Sequence, residues 1–166
     1  MSPRRPLAAA AIAGVLLPAP ALAATNPNRI VPGKRIGPVS LAEERAVIEA
    51  AVGPGKVIAT MPTETLPREV VYYTKVNVTG WFDTPEASTT TNRIATRRRR
   101  YRTASGIGVG STRRQLRRAY PSAVCGTRSC VLATPFDELS IGATRFDLRA
   151  GVVWRVTIVR LLLPTD

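Results

Sequence analysis

The sequence predicts an α+β protein built as two tandem lobes, each a short helix packed on a small antiparallel sheet, behind a signal peptide. Three observations predict it. Two segments run in the same order 68 positions apart, Val39 matching Ile107. Each has a short helical stretch closed by a breaker, Gly53-Pro54 in the first and Pro121 in the second. Each is followed by candidate strands, and the last two, from Thr144 and from Val152, alternate between apolar and polar, the period of a half-buried antiparallel strand.

The chain opens with Arg4 and Arg5, then an uncharged, Ala-rich run of about 11 residues from Leu7 to Leu17. Pro18 and Pro20 end that run, and Ala21-Leu22-Ala23 places small residues where a signal peptidase reads, so cleavage is expected after Ala23. A membrane anchor is the competing reading, but a spanning helix needs about 20 apolar residues. Arg4-Arg5 raises a twin-arginine route, which the flanking Pro3 and Pro6 fit poorly, and no Cys near the cut offers a lipid anchor. The expected division is a leader over 1–23, a flexible arm over 24–35, a first repeat over 36–96 and a second over 97–166.

In the first repeat, Val39-Ser40-Leu41 leads into a helix from Arg45 to Val52, with Ile48, Ala51 and Val52 on one face. Strands are expected at Val70 to Tyr73 and Val76 to Phe82, then a Thr-rich loop from Asp83 to Asn92. In the second, Ile107 to Thr112 leads into a helix from Arg113 to Tyr120. Thr112 and Gln115 have the spacing of a capping box, in which each side chain satisfies a free backbone N–H. Leu116, Ala119 and Tyr120 share its apolar face. Neither helix is long enough to be stable alone, so each needs a sheet to cover its apolar stripe. Strands follow at Ser129 to Ala133, Thr144 to Arg149 and Val152 to Arg160. The last two are joined by Arg149-Ala150-Gly151, which suits a hairpin with a glycine bulge.

The pattern G-P-V-S-L before a short helix, then Y-R-T-A-S-G-I-G-V-G-S-T-x-x-x-L-x-x-A-Y-P and a C-x4-C hairpin, resembles small exported proteins of high-GC bacteria. Their repeat is similar to the helix-plus-sheet lobe of the beta-lactamase inhibitor protein and to small lipoproteins of outer-membrane assembly. The likeness is sharpest from Tyr101 to Pro121. It implies a binding protein, inhibitor-like, rather than an enzyme. The chain departs from these proteins in lacking a lipidated Cys and in having one Cys pair rather than one per lobe, and no inhibitory contact residue maps onto it.

Cys125 and Cys130 are the only cysteines. In an oxidising compartment they are expected to form a disulfide. The alternative is a C-x4-C metal or redox pair, although no His and no third Cys complete a zinc site. The absence of histidine removes Ser-His and Cys-His catalysis in their usual forms. Asp137-Glu138 is an acid pair, but neighbours on a strand face opposite ways and do not share one reacting bond. Gly106 to Gly110 lacks the Lys of a phosphate loop and is better explained by positive φ or close packing before the helix. No catalytic residue, cofactor or metal is expected.

Charge is the one feature that suggests a partner. With Arg4 and Arg5 removed, 22 of the 24 basic residues remain against 11 acidic ones. No Asp or Glu lies between Ala87 and Phe136, where Arg93, Arg97, Arg98, Arg99, Arg100, Arg102, Arg113, Arg114, Arg117, Arg118 and Arg128 supply the whole excess. Like charges at i, i+4, as in Arg113/Arg117 and Arg114/Arg118, weaken a helix slightly. The expected anion-binding residues are Arg97, Arg98, Arg99, Arg100, Arg102, Arg113, Arg114, Arg117 and Arg118; the bland alternatives are a solvated face, or a processing site at Arg97 to Arg100. The functional expectation is an exported, non-catalytic binding protein for a partner in the cell envelope or medium. Its alternative is a peripheral binder of anionic phospholipid or cell-wall phosphate polymer through the arginines. Nucleic acid, the default for such charge in a cytosolic chain, is not expected after export, and no transmembrane span is expected in the mature chain.

Overall fold

The computed structural model describes residues 26–62, 68–83 and 90–164. The leader expected over 1–23 lies outside the described residues, as do positions 84–89 of the expected Thr-rich loop. The first strands are short: β1 (Ile30–Val31), β2 (Arg35–Ile36) and β3 (Val39–Ser40) form a three-stranded antiparallel sheet in that order. Helix α1 (Arg45–Val52) follows, then β4 (Lys56–Met61), β5 (Arg68–Tyr73), β6 (Val78–Asp83) and β7 (Thr91–Thr96). Helix α2 (Arg113–Ala119) precedes β8 (Val124–Cys125), β9 (Ser129–Asp137), β10 (Ser140–Arg149) and β11 (Val152–Leu162).

These last eight strands make one antiparallel sheet, ordered β4-β5-β6-β7-β11-β10-β9-β8. The two-lobe α+β expectation therefore fails. The structure is mostly β, with 53% strand and 12% helix, and strands from both expected repeats belong to a single sheet. The seam is β7 against β11, with Ile94 opposite Ile158 and Thr96 opposite Val156. Pairing there removes the exposed edge that each half would otherwise leave. β7 escapes sequence reading because its buried positions include Thr91 and Thr96. Their hydroxyls donate to the carbonyls of Ser40 and Asn77, so they are buried without an unmet polar group.

Both helices and the small sheet cover one face of the large sheet. Ile48 and Leu116 are fully buried in the same core as Val71, Tyr73, Phe82, Ile94, Phe146, Val156 and Ile158. Burying each such side chain is worth about 1.5–3 kcal/mol. The capping box of α2 is formed: Thr112 Oγ1 accepts from Gln115 N at 3.2 Å, and Gln115 Oε1 accepts from Thr112 N at 2.8 Å. The segment expected as a flexible arm instead contributes β1, and Ile30 is fully buried. Its backbone is held by Ile30 N donating to Arg102 O at 2.8 Å.

The β10–β11 connection also differs from expectation. Arg149 pairs with Val152, leaving a two-residue turn with positive φ at both Ala150 and Gly151. That is the geometry of a type I′ turn, not a three-residue loop. The bulge lies further in, where the register shifts at Asp147/Leu148 and Trp154 becomes the extra residue. Cys125 and Cys130 are bonded, closing the β8–β9 hairpin.

Candidate functional site

Among the described residues, the other face of the large sheet carries no helix. Its side chains follow from register. One row crosses the sheet as Val70, Trp81, Arg93, Val159, Ala143 and Ala133. The next runs Tyr72, Thr79, Ala95, Thr157, Arg145 and Val131. Small residues, Thr79, Ala95 and Thr157, occupy the centre, with long ones around them. The result is a cleft of about 540 Å³ lined by Val70, Tyr72, Trp81, Ala95, Arg97 and Arg155, with Ile58 and Arg98 among its other walls.

Guanidinium groups and aromatic rings are paired across this face. Arg93 lies over Trp81 at 5.7 Å, and Arg97 and Arg155 lie 4.8 and 4.9 Å from the Trp154 ring centre. Arg149 approaches the same ring at 5.7 Å. Such contacts are worth about 0.5–1 kcal/mol at exposed sites and more when desolvated. Asp147 is only 3% exposed and accepts from Arg145 Nε and Arg155 Nε, each at 2.6 Å. Arg68 is paired with Asp83 at 2.7 Å. Arg93 makes no hydrogen bond or ion pair among the described residues. Burial, and then the charges of Arg68, Arg145 and Arg155, hold its pKa below the usual arginine value. The face thus carries unneutralised positive charge at its middle.

The nine arginines expected to bind anions do not form one surface. Arg97 borders the cleft. Arg98 Nε donates to Asn77 Oδ1 at 2.9 Å, and Arg100 donates to Val76 O at 2.8 Å, so both brace the β5–β6 turn. Arg102 donates to Ser111 Oγ at 3.1 Å and reaches Gly106 O. Arg113 is half-buried and donates to the carbonyls of Gly126 and Thr127 in the disulfide loop. Its Nε is buried and unpartnered. Arg99 is exposed beside Gly110, and Arg114, Arg117 and Arg118 are exposed on α2, over the covered face. The glycine loop between the two groups is built as the sequence implied. Gly106 and Gly110 have positive φ, and a Cβ on Gly108 would collide with the carbonyl of Tyr101.

No protein-family model, curated protein or solved structure matches this chain.

The open face was missed because its residues are scattered: Tyr72, Trp81, Arg93, Arg145, Trp154 and Arg155 come from five strands. A signal did exist. Arg145, Asp147 and Arg149 occupy the alternate positions of a strand that the sequence marks clearly. Ser111 Oγ accepts from Gly108 N and Arg102, and has no base beside it. Asp137 is held below the usual carboxylate range first by the hydroxyl of Ser140, and also by Leu139 N–H and Arg160. It therefore favours the ionised form, which suits an ion pair rather than proton donation. Among the described residues, no three His, Cys, Asp or Glu side chains gather as a metal site, and no helix is long and apolar enough to cross a membrane.

Proposed function

We propose that the chain is an exported, non-catalytic binding protein of the cell envelope or medium, and that the open face of its large sheet meets a protein partner. The observation that carries this reading is the pairing of aromatic rings with guanidinium groups on a face that no helix among the described residues covers. Tryptophan, tyrosine and arginine are the residues on which protein interfaces concentrate their binding energy. The lack of histidine and of any nucleophile–base pair on this face favours binding over catalysis. A second reading, attachment to anionic phospholipid or wall polymer, is favoured by the exposure of Arg99, Arg114, Arg117 and Arg118, none of which has an acidic partner among the described residues.

The two readings put the contact on opposite faces. The test places a photo-crosslinking side chain at Thr157, in the middle of the open face, or at Arg117 on α2. Each full chain is expressed in its source cell and irradiated there. A discrete protein adduct from Thr157 and none from Arg117 is the expected result. Adducts from Arg117 alone, together with salt-sensitive sedimentation on anionic vesicles, would transfer the function to the helix face.

A further inference from the structure

The cleft at the centre of the open face has two chemically distinct halves. One half is apolar and aromatic: Val70 and Ala95 are buried, and Tyr72, Trp81 and Ile58 rise beside them. The other half presents Arg97, Arg98 and Arg155. Among the described residues, no carboxylate lines it. Asp147 neutralises part of Arg155 from behind, and Arg98 has only the neutral amide of Asn77. Arg97 makes no hydrogen bond or ion pair among the described residues. Its guanidinium lies against Trp154, as does that of Arg155. Stacking occupies the flat face of a guanidinium and leaves the N–H groups at its edge free, in the fork that matches a carboxylate. The stacked ring also holds the head in place, which lowers the side-chain entropy lost on binding.

We infer that this cleft receives an acidic segment of the partner, with a carboxylate on Arg97 and Arg155 and a neighbouring apolar or aromatic side chain between Tyr72 and Trp81. The inference rests on the protein-binding reading above and names the chemistry of that partner. A bare phosphate would use only the cationic half and leave the apolar half wet. A purely apolar segment would bury the guanidinium groups of Arg97 and Arg98 without a counter-ion, which is costly. An acid beside an apolar side chain satisfies both halves at once.

Trp81 and Trp154 are the chain's only tryptophans, and both contribute to this site, so intrinsic fluorescence reports on it directly. The experiment titrates the full chain with acetyl-Glu-Phe-Glu-amide, and in parallel with acetyl-Gln-Phe-Gln-amide, acetyl-Glu-Ser-Glu-amide, phenylpropanoate and inorganic phosphate. The Glu-Phe-Glu peptide is expected to shift the emission and to bind about tenfold more tightly than either altered peptide, a difference of about 1.4 kcal/mol. Arg97→Gln is expected to weaken it about fivefold. Thr79→Tyr, a residue suited to a strand, is expected to fill the cleft and abolish the shift. Arg117→Gln on the far side is expected to change nothing. Circular dichroism and a thermal melt establish that each variant is folded; should Thr79→Tyr fail to fold, Arg97→Gln and the peptide series carry the test. No response to Glu-Phe-Glu up to about 10 mM, or equal response to Gln-Phe-Gln, overturns the inference. Phosphate binding as well as the peptide does so too, and tighter binding of phenylpropanoate would make this a small-molecule site. Any of these together with a Thr157 adduct leaves the protein-binding reading standing and removes only the acidic segment.

Discussion

Replacing Asp147 with Asn tests whether the open face is held together by this one buried acid. Asp147 is 3% exposed, and its two oxygens accept from Arg145 and Arg155. Asparagine keeps the shape but removes the charge and turns one acceptor into a donor facing a guanidinium. Breaking a buried ion pair from one side costs about 3–5 kcal/mol when the orphaned partner stays dry. Here it does not stay dry, because the side chains of Arg145 and Arg155 are 54% and 34% exposed and can turn to water. The loss then reduces to two charge-assisted hydrogen bonds less the rehydration of the arginines, and about 2 kcal/mol is expected. For a chain of this size that is a fall in Tm of about 4–8 °C. Urea unfolding followed by circular dichroism gives the free energy. In the Arg155→Gln background the same substitution should cost about half as much, because one of its two partners is already gone. A change under about 0.5 kcal/mol in the otherwise wild-type chain would refute the reasoning, and would mean that Arg155 holds its place through the Trp154 ring alone.

Three further outcomes follow from single residues. Tyr73 is fully buried, its hydroxyl has no partner, and burial followed by the charge of Glu49 pushes its pKa from 10.0 to about 12. A folded pKa raised above the unfolded one gives stability that is whole below pH 10 and disappears as the pH rises through about 12, a loss of about 2–3 kcal/mol. Tyr73→Phe should therefore equal or exceed the wild type at neutral pH and lack that alkaline loss in denaturant titrations at pH 9 to 12; a variant that is less stable throughout contradicts it. Gly108→Ala drives a Cβ into the Tyr101 carbonyl, which sits on a wholly buried ring, and should cost about 2 kcal/mol or more by urea unfolding. An unchanged midpoint would mean that the loop can shift freely. Amino-terminal sequencing of the protein recovered outside the cytoplasm should begin at Ala24, and recovery with Met1 to Ala23 attached would refute cleavage there.

What the sequence made legible was local. The capping box Thr112/Gln115, the paired burial of Ile48 and Leu116 and the alternation of β10 and β11 are each set by a few neighbouring residues. The joining of the halves depends on β7, where Asn92, Arg93 and two threonines obscure any apolar alternation. Its polarity is tolerated only because Ser40 and Asn77, distant in the chain, accept from those threonines. The site was illegible for a related reason. The density of arginine drew attention to Arg97–Arg102 and α2, whereas Trp81, Arg93 and Arg155 come together through register across three strands.

The structure also gives a physical reason for the preference for arginine, which outnumbers lysine 21 to 3. Arg100, Arg102 and Arg113 donate to backbone carbonyls of loops at Val76, Gly106 and Gly126-Thr127, and Arg98 braces Asn77 beside them. A planar fork can reach two acceptors at once where an ammonium acts as a single point. On the open face Arg93, Arg97, Arg149 and Arg155 use the same planarity differently, lying against tryptophan. The positive excess is thus divided between groups that finish the scaffold and groups that face outward. Lysine at Arg113 would preserve the charge and lose the fork that reaches both Gly126 O and Thr127 O. Lysine at Arg97 would preserve the charge and lose both the stacked ring and the free edge that a carboxylate needs. Net charge alone therefore says little about where this protein binds, whereas the hydrogen-bonding of each guanidinium separates the arginines that can receive a ligand from those already engaged by the fold.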